Sequence, residues 1–254
     1  MDIRGKLTTE LSRHNSNAET TSDASMERFT RIAEVYASVE NVLAVLSDLN
    51  NGKSYVAHGH FSNIIDIDRD KCSGYIPSIW EDDVFQAIHT NDLERKMLQE
   101  LLFFHHIKRL PKSRRFQQCL IQRIRMRSKN GEWIETLHRL HYIPADDGKT
   151  IRFALCLYGG ANFGFKSDSV IMDTVTGQIT ELAPSEGAKI LSPQETEVLK
   201  LIDEGNRSKG IADILCISPH TVSRHRQNII AKLKVRNSAE ACKVARGLNI
   251  LPRF

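Results

Sequence analysis

The residues of this 254-residue chain best placed to do chemistry lie near its end, at Ser223, Arg224 and Gln227. A helix over about Ser218 to Leu233, 16 residues or roughly 24 Å, turns Val222, Ile229 and Leu233 to one side and Ser223, Arg224, Gln227 and Ala231 to the other. The second face offers a hydroxyl, a guanidinium and an amide. These groups match base edges in a major groove: Arg pairs with guanine O6 and N7, Gln with adenine N6 and N7, and Ser with several edges.

Such a face reads nothing unless other elements hold the helix. Ser192-Pro193-Gln194-Glu195 has the form of a capping box with Pro at the first helical position, and it opens a helix that carries Val198, Leu199 and Ile202 and ends at Gly205. Ser208–Leu215 places Ile211, Ile214 and Leu215 at helical spacing, and after Cys216-Ile217 a second capped start appears at Ser218-Pro219. Two helices across so tight a link make a helix-turn-helix. A fourth helix, about Ser238–Leu248, has Ala241, Val244, Ala245 and Leu248 on one stripe, which either closes the four-helix core or pairs two copies. Charge agrees with a polyanion partner. Residues 191–254 hold 11 Lys and Arg against 6 Asp and Glu, whereas the rest of the chain, at 24 against 25, is near neutral.

The segment resembles the LuxR-type (GerE-like) DNA-binding domain. The words that match are Leu191-Ser192-Pro193, Glu195, Glu197-Val198-Leu199, Glu204-Gly205, Lys209, Ile211-Ala212, Ile217-Ser218, Thr221-Val222, His225-Arg226, Asn228-Ile229, Lys232-Leu233, Val235 and Ala239-Glu240-Ala241, with the family spacing intact over about 58 residues. The resemblance implies that Ser223, Arg224 and Gln227 face bases and that Thr221, Arg226 and Lys232 lie near phosphates. It implies double-stranded DNA as partner and a homodimer through the last helix, with Val244 and Leu248 as the interface candidates; RNA polymerase is a further candidate partner. Two departures stand out: Gly210 where the family has Glu, and Cys216 where it has Gly, at a turn that often needs a left-handed backbone.

The larger N-terminal part reads as an α+β domain. Asn41–Asp48 and Lys53–His58 flank the turn signal Asn50-Asn51-Gly52; helical stretches follow at Asp66–Gly74, at Asp82–His89 and from Asp92, as N-cap, to His106; then come three period-two strands at Gln118–Arg127, Trp133–Ile143 and Ile151–Tyr158. This order is similar to that of PAS domains over Asn41–Tyr158. Cys72-Ser73-Gly74-Tyr75, His89-Thr90-Asn91-Asp92 and the run from Arg125 through Asn130-Gly131-Glu132-Trp133 are similar to PAS words. The expected organisation is a disordered tail over 1–24, a PAS-like domain with an N-terminal helix over 25–158, a linker with a small hairpin over 159–190, and the helix-turn-helix domain over 191–254. The fold class is then α+β: a five-stranded antiparallel sheet with helices, plus an all-α four-helix domain.

Several chemistries find no support. The odd, scattered cysteines (Cys72, Cys119, Cys156, Cys216, Cys242) show no CxxC pair and no metal-ligand spacing, so neither a disulfide framework nor a metal site is expected. His58, His60, His105 and His106 are read as solvated or hydrogen-bonded rather than as haem ligands. No cofactor is predicted, and the ligand of the PAS-like domain stays open. Asp82-Asp83 lacks the setting of a phosphoacceptor, and no Ser/His/Asp, Walker or GxGxxG arrangement occurs, so no enzyme activity is expected. The basic run from Lys108 to Lys129 reads as a solvated face. With 41% hydrophobic residues, no apolar run long enough for a membrane span and no secretory-type stretch, a cytoplasmic protein is expected. The reading is a sequence-specific transcriptional regulator whose PAS-like domain senses a small-molecule or protein signal. The alternative is a PAS-like domain that acts as a protein-protein interaction scaffold.

Overall fold

The computed structural model describes residues 3–15, 23–145, 148, 150–161, 167–181, 191–233, 235–247 and 250–251. The chain divides into two compact units, residues 3–181 and 182–254.

The first unit is built on an antiparallel sheet. Strands β1 (Leu43–Asp48) and β2 (Lys53–His58) form the expected hairpin, and β4 (Gln118–Arg127), β5 (Trp133–Pro144) and β6 (Ile151–Gly160) form the expected meander. β6 closes on β1 with Leu46 opposite Leu155. The sheet is wider than the five strands expected. It has eight, in the order β3-β2-β1-β6-β5-β4-β7-β8, because β3 (Gly74–Ile76) extends one edge and the hairpin β7 (Ser169–Asp173)–β8 (Ile179–Glu181) extends the other. The hairpin read as part of a linker is therefore an integral edge: β7 pairs with β4, Ile171 opposite Leu120. Buried β7 positions such as Val170 and Ile171 gain more by covering the sheet than by lying in solvent. Residues 182–190 of that linker lie outside the described residues.

Helices flank the sheet. α1 (Ile3–Asn15) occupies part of the segment read from composition as a disordered tail, held by Arg4 to both carboxylate oxygens of Asp82 at 2.5 and 3.0 Å and by Trp80 Nε1 donating to Thr8 Oγ1. α2 (Asp23–Glu40) lays Met26, Ala33 and Ala37 on Ala44, Leu46, Phe153, Leu155 and Leu157. Gly59 is required beside it, since a Cβ there would stand 2.1 Å from the Ala37 carbonyl oxygen. Asp66–Gly74 is not helical as expected but a run of turns leading into β3. α3 (Asp82–Gln86) is short. α4 (Thr90–Arg109) starts before Asp92: His89 is the N-cap, its Nδ1 accepting from Asn91 N, and Asp92 turns inward. α4 buries Phe103, stacked on Tyr142 at 5.5 Å, and Phe104 and Ile107.

Among the described residues the second unit has four helices: α5 (Pro193–Asp203), α6 (Ser208–Leu215), α7 (Pro219–Leu233) and α8 (Ser238–Gly247). Val198, Leu199, Ile211, Ala212, Val222, Ile229, Leu233, Ala241 and Ala245 form its core. The stripes of α5, α7 and α8 follow the spacing, with Ile202 only half-buried, but α6 departs from it: Ile214 is 56% exposed and Leu215 half-buried, and Ala212 packs beside Ile211 instead.

Candidate nucleic-acid interface and a buried polar cluster

Local chemistry fixes each helix of the second unit. At α5, Ser192 Oγ accepts from Glu195 N while Glu195 Oε2 accepts from Ser192 N at 2.7 Å, the reciprocal pair that the sequence predicts. α6 ends at Cys216 in the left-handed region, φ +52°, and Ile217 N returns to the Ala212 carbonyl at 3.0 Å. The turn geometry left open by a cysteine in a glycine's place is thus left-handed. Ser218 caps α7, its Oγ accepting from Thr221 N at 3.0 Å.

On α7, Ser223, Arg224 and Gln227 are exposed, opposite the buried Val222, Ile229 and Leu233. Ser223 Oγ donates back to the Pro219 carbonyl at 3.1 Å and can turn outward at little cost. The three phosphate candidates have internal roles too. Thr221 Oγ1 lies 2.8 Å from Ser218 Oγ, so it belongs to the cap. Arg226 ties three helices together, donating from NH1 to Ser208 Oγ at 2.8 Å and from Nε to Ser238 Oγ at 3.3 Å. Lys232 Nζ lies 2.6 Å from Glu195 Oε2. Burial pushes the Glu195 carboxyl up, but the Lys232 and Ser192 bonds outweigh it and hold the group below its ordinary range. Of the two interface candidates, Val244 is 9% exposed within its own unit, and Leu248 lies outside the described residues.

The basic run of the first unit is largely paired: Arg114 with Asp173, Arg123 with Glu135 and Asp168, Arg125 with Asp92, and Arg127 with Asp66. Of the four histidines considered as ligands, His58 donates from Nε2 to the Cys72 carbonyl at 2.6 Å and His60 Nδ1 lies 3.5 Å from Asn63 Nδ2.

Sequence reasoning missed a cluster inside the sheet unit. Lys96 and Glu100, one turn apart on α4, are buried and ion-paired at 2.7 Å. Tyr158 OH donates to Glu81 Oε1 at 2.7 Å, and the Lys96 ammonium stands over the Phe85 ring. Burial opposes the Lys96 charge, but Glu100 and Glu81 outweigh it and hold its pKa up at about 12. His138 is fully buried; its ring Nδ1 lies 2.7 Å from Gln122 Oε1. Ser47, Trp80, Glu81, Lys96, Glu100 and Cys156 contribute to the wall of a cavity of ≈ 40 Å³, room for about two or three waters. These side chains come from helix and strand positions far apart in sequence, so no local spacing announced them.

Residues 189–245 match the family described as bacterial regulatory proteins, luxR family. Over 61 residues the chain is 46% identical to the transcriptional activator protein CarR of Pectobacterium carotovorum subsp. carotovorum, which covers 24% of this chain and 25% of that protein. Over 55 residues it is 44% identical to the uncharacterized response regulatory protein YgeK of Escherichia coli, 22% of this chain and 37% of that one. The matched part thus spans well under half the length of these relatives. Among solved structures, the VqmA–ligand–DNA complex of Vibrio cholerae aligns over 89% of both chains at 14% identity and a TM-score of 0.31, too slight a likeness to fix a shared geometry.

Proposed function

Residues 189–245 are a luxR-family regulatory domain, and from that premise we propose that the protein is a transcriptional regulator that binds double-stranded DNA through α7. The observation that carries this is the exposed trio Ser223, Arg224 and Gln227 on a helix whose start is capped by Ser218 and whose other face is anchored by Val222 and Ile229. Lys232, Arg226 and Thr221 approach phosphates; for Arg226 and Lys232 this means exchanging or sharing the internal bonds described above. The family likeness further supports a homodimer through α8 and the residues after it, reading an inverted repeat with half-sites roughly 34 Å apart. Val244 adds little free area, so Leu248 is the contact to test, with Leu248→Arg expected to give a monomer by sedimentation.

The first unit, in this reading, is a PAS-like sensor that biases the DNA affinity of the second. What supports this role is the PAS-like order of strands and helices; the internal cavity, at ≈ 40 Å³, would have to open to admit a small-molecule signal. Selection of random duplexes by the full-length protein tests the proposal: enrichment of a two-fold symmetric motif is expected. Equal recovery of all sequences at physiological salt would overturn it.

A further inference from the structure

The geometry points to a binding site for a divalent transition-metal ion of the zinc class, made by Glu100 on α4, His138 on β5 and Cys156 on β6. One ligating atom from each, a carboxylate oxygen, an imidazole nitrogen and a thiol sulfur, lie within 4.8 Å of one another, and all three residues are buried. Ions of this class bind oxygen and nitrogen near 2.0–2.1 Å and sulfur near 2.3 Å, so tetrahedral ligand atoms sit roughly 3.3–3.8 Å apart. His138 Nε2 stands 3.7 Å from Glu100 Oε1, too long for a hydrogen bond and a few tenths of an ångström wider than the ~3.3 Å nitrogen–oxygen edge of a tetrahedral site, so the pair closes slightly on an ion.

The histidine itself is set up as a ligand. Gln122 Nε2 donates to Gln99 Oε1 at 2.8 Å and to the Lys96 carbonyl at 3.3 Å, which leaves Gln122 Oε1 as the acceptor facing His138. Nδ1 therefore carries the ring proton, and Nε2 keeps a lone pair that finds no hydrogen-bond partner among the described residues, in a fully buried side chain. A buried acceptor left so is destabilising, and an ion would satisfy it. The Nδ1–H bond to an amide oxygen fixes the ring's tautomer and angle as it does in metal sites. Burial, then the Lys96 charge, push the imidazole well below its ordinary pKa and keep it neutral, the ligating form.

Charge balance favours the same occupant. Lys96 brings one positive charge and Glu81 and Glu100 two carboxyl groups into a buried space. A divalent ion with Cys156 as thiolate brings the sum to zero. Without an ion the Cys156 thiol is pushed well up by burial and by Glu81, so loading transfers its proton to solvent as the metal–sulfur bond forms. Lys96 then remains on Glu100 as the partner that orients the carboxylate. Glu100 and Cys156 also line the cavity, which leaves the fourth coordination position open to water or a small donor.

The test is cobalt and zinc titration of the untagged, full-length, metal-free protein, independent of its DNA binding. One Co²⁺ per chain is expected, with the visible bands of a tetrahedral site and a near-ultraviolet thiolate-to-cobalt band that Zn²⁺ bleaches. Cys156→Ser should remove the thiolate band, and Cys119→Ser should keep it. X-ray absorption at the zinc edge of the wild-type protein gives a readout that does not depend on any variant folding: one sulfur near 2.3 Å with nitrogen and oxygen near 2.0 Å is expected. No uptake at one equivalent, a zinc shell without sulfur, or a thiolate band that survives in folded Cys156→Ser would overturn the assignment.

Discussion

Lys232 Nζ lies 2.6 Å from Glu195 Oε2, and so joins the last turn of α7 to the capping box that starts α5. The cation expected at a phosphate is also a brace of the fold. Glu195 is 3% exposed while the Lys232 side chain is 43% exposed, so the pair is worth about 1 kcal/mol, less than a fully buried one. A double-mutant cycle of Lys232→Ala and Glu195→Gln, read by denaturant unfolding, is expected to give a coupling of that size. Additive effects would show that the brace contributes nothing.

The two roles on α7 separate by their dependence on DNA sequence. Arg224→Ala is expected to lose roughly 1–3 kcal/mol on the preferred site and to flatten the preference at the base pairs it faces. Lys232→Ala is expected to weaken all duplexes alike and to lower the slope of log K against log salt by about one. Competition binding at several salt concentrations checks both. An unchanged selected motif for Arg224→Ala would mean that the readers lie elsewhere.

The helix-turn-helix was legible because its signals are local: caps, a period of 3.6 and a tight link each lie within a few residues. Even its oddities were visible, and the structure gives their cost. A Cβ at Gly210 would meet nothing within 4 Å, so Gly210→Ala is expected to raise stability by up to ~1 kcal/mol through helix propensity. Cys216 holds φ +52°, so Cys216→Gly is expected to recover part of the roughly 1–3 kcal/mol that a left-handed non-glycine residue costs. Calorimetry of each variant, with the C-terminal transition shifting upward, is the check; a fall for Gly210→Ala would show that the glycine serves a contact outside the unit.

The sheet unit was legible in outline and not in its edges or its interior. The hairpin at Asn50-Asn51-Gly52 and the three-strand meander follow from turn residues and alternation. β3 is three residues long and too short to carry a period, and nothing local says that β7 pairs with β4 rather than standing alone. α1 was hidden by a polar composition, because its two buried leucines, Leu7 and Leu11, and its exposed Arg4–Asp82 pair find their partners far along the chain. The Lys96–Glu100–His138–Cys156 cluster shares that cause: each residue is ordinary in its own segment, and they meet only through the register of β5 with β6 and the packing of α4 on the sheet.

The words at His89, Asp92, Arg125 and Trp133 have a physical explanation in one cluster. His89 caps α4 and meets the Trp133 ring edge-on at 4.9 Å; Asp92, 2% exposed, accepts from Arg125 N at 2.9 Å and Arg125 Nε at 2.8 Å, which fastens the start of α4 to β4. Burial pushes the Asp92 carboxyl up, but the side-chain and backbone bonds from Arg125, with Arg95 beside them, outweigh it and hold the group below its ordinary value of 3.8. A depressed folded pKa means that this contribution is complete above the ordinary carboxylate range and is lost as pH falls through the lowered value. Asp92→Asn is therefore expected to cost about 2 kcal/mol at pH 7, where a charge-assisted acceptor becomes a neutral one, and to cost progressively less below about pH 4. Denaturant unfolding of both proteins from pH 7 down to pH 3 measures this. Stability curves that stay parallel across that range would show that the carboxylate carries no linked proton and that the fastening is geometric alone.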